Sequence, residues 1–180
     1  MNILFTICGR AGSKGFKNKN LKLLKGKPLV YYTLSVIRLY QKKHIEDQVT
    51  VALNTDSEEL IQIVNQQDIV KNVCIVEREA DLAGDTAPKV AVIQSTYEQC
   101  ENKCQYDVIV DLDITSPMRR LQDVENAITK LSLDSQCDVV FSVVPSRRSP
   151  YFNMVEYKGN YYKKICQSNY TARQQAPNTY

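Results

Sequence analysis

Residues 3–20, ILFTICGRAGSKGFKNKN, join an unbroken apolar run to a loop in which glycines alternate with basic residues and no acid appears. The apolar half, Ile3 to Cys8, has the length and residue types of a strand buried on both faces. The loop places Gly9, Gly12 and Gly15 at a G-x-x-G-x-x-G spacing among Arg10, Lys14, Lys17 and Lys19. Glycines let backbone amides approach an anion closely, and the cations neutralise it, so the loop reads as a cradle for a polyphosphate such as a nucleoside triphosphate. The spacing matches neither the P-loop nor the dinucleotide fingerprint.

The charge distribution agrees. The first 45 residues hold ten Lys or Arg and no Asp or Glu, and the rest of the chain holds thirteen basic and twenty acidic residues, so a net charge of +3 conceals a split of +10 and −7. A nucleic-acid surface is disfavoured, because the basic run lacks interleaved aromatics and the remainder is acidic. The opening apolar run is too short for a membrane span and lacks a signal-peptide layout, which predicts a cytoplasmic protein with no membrane partner. Six cysteines among 180 residues include Cys8, Cys74 and Cys137 in or beside apolar runs, as reduced buried thiols are. Cys100 and Cys104 lie far in sequence from the single histidine, His44, so no zinc set with ordinary spacing is expected.

Outward from residues 3–20, short β-rich runs alternate with helical periods. The strand signals are VTVAL (49–53), VCIV (73–76), DVIVDLD (107–113) and DVVFSVV (138–144); helices are predicted over 29–40, 58–65, 89–101 and 121–133. In the third of these, Thr86 and Pro88 suit a start, and Val90, Ile93, Tyr97 and Cys100 recur at helical spacing. Such alternation predicts an α/β fold of three layers, α/β/α and Rossmann-like, around a mostly parallel sheet. After Val144 the rhythm changes: two tyrosine-rich segments flank Lys158, Gly159 and Asn160, which predicts a protruding hairpin arm over about 145–172. With 43% hydrophobic and 24% charged residues and no linker, residues 1–180 are expected to form a single domain.

Five ordered stretches resemble the acylneuraminate cytidylyltransferase (CMP-sialic acid synthetase) family of the sugar-nucleotidyltransferase fold group. "GRAGSKGFKNKN" is similar to its R-x-G-S-K-G-x-x-x-K-N signature, and "NTDSEEL", "EREADLAGDTAPK", "DLDITSPMR" and "ARQQAP" follow in the family's order. The resemblance implies a nucleotidyltransferase that moves CMP from CTP to the anomeric hydroxyl of a nonulosonic acid, of sialic, legionaminic or pseudaminic type, with Mg²⁺ as the ion. It implies that Arg10, Gly12, Ser13, Lys19, Asn20 and Arg78 hold the nucleotide, with Arg10 and Lys19 stabilising the leaving pyrophosphate. A nucleotidyltransferase of other base or sugar specificity, or a nucleotide-binding module without catalysis, are the competing readings.

Asp85 and Thr86 follow the family's nucleotide-side loop, though a helix cap explains them equally. "DLDITSP" departs from the L-Q-P-T-S-P of many relatives. It sets Asp111 and Asp113 two apart on one face of a strand end, where Asp113 is a candidate nucleotide contact and Mg²⁺ ligand, or a turn former. Arg173 of "ARQQAP" matches an arginine that, in the family, meets the acidic sugar in a neighbouring subunit's site. A homodimer through the hairpin arm is therefore expected, and the carboxyl end is expected to be truncated relative to the family.

Overall fold

The computed structural model describes residues 1–12, 16–84, 86–100 and 105–180, and among these the chain divides into two compact units, Met1–Asp138 and Val139–Tyr180. The first unit runs β1 (Asn2–Cys8), a two-stranded ribbon of β2 (Leu23–Leu24) and β3 (Lys27–Pro28), α1 (Leu29–Lys43), β4 (Gln48–Thr55), α2 (Glu58–Asn65), β5 (Cys74–Glu77), α3 (Lys89–Gln99), β6 (Val108–Asp111) and α4 (Leu121–Leu133). The central sheet has the order β5-β4-β1-β6, and every pairing in it is parallel.

Pleating explains the layers. Ile3, Phe5 and Ile7 point to one face, where they join Val30, Leu34 and Ile37 of α1, Leu60 and Val64 of α2, and Val124 and Ile128 of α4. Leu4, Ala52 and Val76 point to the other, against Cys100 and Tyr97 at the end of α3. A strand buried from both sides must be apolar throughout, which is what residues 3–8 displayed.

The chain steps outward from β1 to β4 to β5, then returns through α3 to place β6 on the opposite side of β1. That reversal is a topological switch point, and it leaves a crevice beyond the carboxyl ends of β1 and β6 where open α/β sheets take ligands. Gly9 caps β1 in a confined place: a Cβ there would lie 2.7 Å from Ile114 Cδ1 and 2.7 Å from Leu60 Cδ2, so only glycine fits without moving the core. Its amide donates to Asn54 O at 3.0 Å and its carbonyl accepts from the Thr55 hydroxyl, which locks the start of the loop to the end of β4.

The helical expectation near α3 holds in extent and, at Tyr97 and Cys100, in face, since both pack on the Leu4, Ala52 and Val76 side of the sheet. Val92, Ser95 and Thr96, the fourth, seventh and eighth positions of a helix that starts at Lys89, are its buried residues, and Val90, the second, is exposed. Pro88 is the residue before the first turn, and no side chain caps it.

In the second unit, β7 (Val155–Lys158) pairs antiparallel with β8 (Tyr161–Lys164). Gly159 and Asn160 both have positive φ, 61° and 67°, as a two-residue hairpin turn requires. Tyr157 and Tyr162 pair across it with ring centroids 5.2 Å apart. The run 138–144, expected as a strand, adopts no regular secondary structure, and Phe141 and Val144 are exposed. A β-type sequence becomes a strand only where a neighbouring ladder supplies its hydrogen bonds, and residue pattern alone does not supply one.

Candidate active site

A cleft of about 230 Å³ opens at the β1/β6 switch point, lined among others by Arg10, Lys19, Asn20, Arg78, Lys89 and Asp113. Each arrives by a different route. Arg10 leaves the end of β1 and donates from Nη1 to Ala83 O at 3.4 Å, linking the first loop to the segment before α3. Asn18 takes a left-handed conformation, φ 54°, that turns the chain into a short 3₁₀ helix over Lys19–Leu21. Asn20 then closes the loop on itself: its Nδ2 donates to Arg10 O at 3.0 Å, and the residue is buried. Across the base of the loop, Asp56 Oδ1 accepts from the Ala11 amide at 2.7 Å.

Arg78 follows β5 and is buried against the end of β4. Its Nε donates to Asn54 Oδ1 at 2.8 Å and its Nη2 to Asn54 O at 3.2 Å. Burial pulls its pKa below the ordinary arginine value, opposed by the charges of Asp56 and Asp111. Asn54 is itself fully buried, and its Nδ2 has no hydrogen-bond partner among the described residues.

The acidic side comes from the end of β6. Thr6 Oγ1 donates to Asp111 Oδ1 at 3.0 Å, and Lys89 Nζ lies 2.9 Å from Asp111 Oδ2 and 2.8 Å from Asp113 Oδ1. The shared nitrogen confirms that the two carboxylates lie on one face. Arg119 braces the same turn, donating from Nη2 to Asp113 O at 2.9 Å and from Nη1 to Thr33 Oγ1 at 3.3 Å. Burial pushes the Cys8 thiol, which also lines the cleft, up to about 12, helped by Asp111. It is therefore a neutral wall rather than a nucleophile.

Of the residues singled out in the sequence, Arg10, Lys19, Asn20, Arg78 and Asp113 converge on this cleft. Gly12 belongs to the loop, with φ +65°, so it serves the turn. Thr86 is exposed and does not line the cleft, and it caps no helix. Ser13 and Asp85 lie outside the described residues. Arg173 opens a 3₁₀ turn, Arg173–Gln175, in the second unit. Lys89, Arg119 and Asn54 escaped the sequence reading. Lys89 had a legible signal: a cation at the first position of a helix opposes the macrodipole and needs a reason to be there. Among the described residues no three His, Cys, Asp or Glu side chains gather into a metal set, and no helix is long and apolar enough to cross a membrane. The described cysteines are free.

A parallel sheet with a cation-lined cleft at its switch point defines a protein of the nucleotidyltransferase fold. A solved CMP:2-keto-3-deoxy-manno-octonic acid synthetase complexed with CTP superposes on it with a TM-score of 0.55 at 21% identity, over 74% of this chain and 48% of that one. The family model described as cytidylyltransferase matches residues 4–177, and the chain belongs to that family of enzymes. The chain is 36% identical over 180 residues to post-translational flagellin modification protein B of Campylobacter coli, covering 99% of this chain and 73% of the relative. It is 32% identical to the CMP-N,N'-diacetyllegionaminic acid synthase of Campylobacter jejuni, again over 99% of this chain and 73% of the relative.

Proposed function

We propose that the protein transfers CMP from CTP to the anomeric hydroxyl of a nonulosonic acid of sialic, legionaminic or pseudaminic type and releases pyrophosphate. The observation that carries the reading is the convergence of Arg10, Lys19, Arg78 and Lys89 on one cleft beyond β1, with Asp113 on its rim. The legionaminic acid synthase likeness supports the sugar class.

In this reaction the sugar oxygen bonds to the α-phosphorus of CTP, the bond from that phosphorus to the bridging oxygen breaks, and the hydroxyl proton passes to solvent. Negative charge collects on the departing pyrophosphate. Arg10 and Lys19 neutralise it, which is the main service a protein performs in phosphoryl-type transfer. Gly12 and Ser13 belong to the same phosphate loop, Asn20 holds its carbonyl framework in place, and Arg78, with Asp85, attends the nucleotide.

Mg²⁺ fits the acidic rim, since hard carboxylate oxygens from one or two side chains complete its shell together with substrate phosphates. Asp113, with Asp111 beside it, would hold it, and when bound it supplies charge neutralisation to the triphosphate. Arg173 is assigned to the sugar carboxylate, for which a guanidinium fork is suited, across a homodimer built with the hairpin arm. The exposed rings of Tyr157, Tyr161 and Tyr162 supply the aromatic surface such a contact uses. Free thiols suit a reducing, cytoplasmic setting.

Pyrophosphate release measured with each nucleoside triphosphate against a panel of nonulosonic acids tests the reading. Turnover is expected with CTP and one class of acid; equal turnover with UTP, or none with CTP, refutes it. Mixed dimers of Arg173→Ala and Arg10→Ala chains are expected to regain activity that neither parent has, and mixed dimers without rescue remove the shared site.

A further inference from the structure

Lys89 is the first residue of α3, whose opening turn contains no acid, so the helix dipole acts against its charge. Two carboxylates face that charge from the end of β6, those of Asp111 and Asp113. Both carboxylates meet the same nitrogen, at 2.9 and 2.8 Å. They are held differently. Asp111 has its other oxygen fixed by Thr6, whereas the Asp113 side chain is 59% exposed and Lys89 43% exposed, both in the cleft with Arg10 and Lys19.

Two carboxylates gathered at one point repel unless a cation lies between them. Here that cation is on a flexible four-carbon stem with three donors, able to move to phosphate oxygens nearby. We propose that Lys89 is a tethered counter-cation: it occupies the Asp111–Asp113 pair in the nucleotide-free protein and yields the pair to the divalent cation that arrives with the nucleotide.

The inference rests on the cytidylyltransferase reading and on Asp113 as the metal side of the cleft. Its consequence is coupling. Without nucleotide, a metal ion must displace an ammonium that has nowhere better to go; with a triphosphate present, the released ammonium gains anionic partners. Lys89 thereby links metal binding to nucleotide binding, and by reciprocity each raises the other's affinity.

The test is a titration of Mn²⁺, followed by the resonance of the free ion, into the full chain without nucleotide. Wild type is compared with Lys89→Met, Lys89→Gln and the double variant Lys89→Met/Asp113→Asn, all verified as folded by circular dichroism. Both single variants are expected to bind Mn²⁺ about tenfold more tightly than wild type or better, since a competing charge within hydrogen-bond distance is gone. The double variant loses that gain. Adding CTP is expected to raise Mn²⁺ affinity by a larger factor in wild type than in Lys89→Met. Mn²⁺ binding no tighter in the Lys89 variants, or an equal CTP effect in Lys89→Met, overturns the proposal. The titration requires no turnover, so failure of the enzyme to use CTP would strike the functional reading alone.

Discussion

Replacing Arg78 by methionine separates a structural from a nucleotide-binding role. The substitution removes two donated hydrogen bonds, 2.8 Å to Asn54 Oδ1 and 3.2 Å to Asn54 O. It leaves a second atom of the fully buried Asn54 side chain without a partner. A buried acceptor left unsatisfied costs about 1–3 kcal/mol. Part of that is returned, because Arg78 is itself a buried charge whose pKa burial has already lowered. A net loss of about 1–2 kcal/mol follows, which for a chain of this size lowers Tm by roughly 2–8 °C. If Arg78 also holds the nucleotide, kcat/KM for CTP falls by about 10²–10³, the cost of removing one positioned donor. Arg78→Lys keeps the charge but not the fork that spans both Asn54 oxygens, and it is expected to lie between. The assay pairs initial rates of pyrophosphate release over a CTP series with thermal unfolding with and without CTP. A lowered Tm accompanied by a wild-type KM and a wild-type stabilisation by CTP would refute the nucleotide role and leave Arg78 as a strap on β4.

Arg10→Ala and Lys19→Ala are each expected to lower CTP turnover by roughly 10- to 1,000-fold with unchanged circular dichroism; wild-type rates in both would remove the phosphate cradle. Gly9→Ala forces a methyl against Ile114 and Leu60 and is expected to cost about 1–3 kcal/mol in denaturant unfolding, with unchanged stability the contrary outcome. Glu125, on α4, accepts from Lys43 at 2.9 Å and lies 2.6 Å from His44 Nε2, and these bonds hold its carboxyl below the ordinary 4.5. A depressed carboxylate pKa stabilises the fold at pH values above 4.5, and that contribution is lost as the pH falls through the folded value. Glu125→Gln should therefore flatten the acid limb of a stability–pH profile, and an unaltered limb would show that the cluster contributes nothing.

The alternation of apolar runs and helical periods was sufficient for the parallel three-layer architecture, because strands buried on both faces and amphipathic helices carry their environment in their own residues. β1, α2 and α4 lie where the pattern set them, and the residue types of Lys158, Gly159 and Asn160 made the hairpin turn visible as well. The run 138–144 carried the same kind of signal and takes no strand, since its pattern is local and a ladder is not. Within the site, Arg10, Lys19, Asn20, Arg78 and Asp113 were legible because cations and glycines after a first strand have few other uses, and because ordered motifs reinforced one another.

From its sequence alone, then, this chain declares its fold class, the basic loop after β1 and the family to which that loop belongs, all properties of residues adjacent in the chain. The meeting of Lys89 with Asp111 and Asp113, the clamp of Asn54 on Arg78 and the brace of Arg119 on the β6 turn were decided only by the tertiary structure. The first needs the return of the chain through α3 to the far side of β1, the second needs β5 laid beside β4, and the third needs Thr33 of α1 within reach of the turn after β6. Charge and periodicity are written along the chain, but a contact between side chains depends on the path that carries them together.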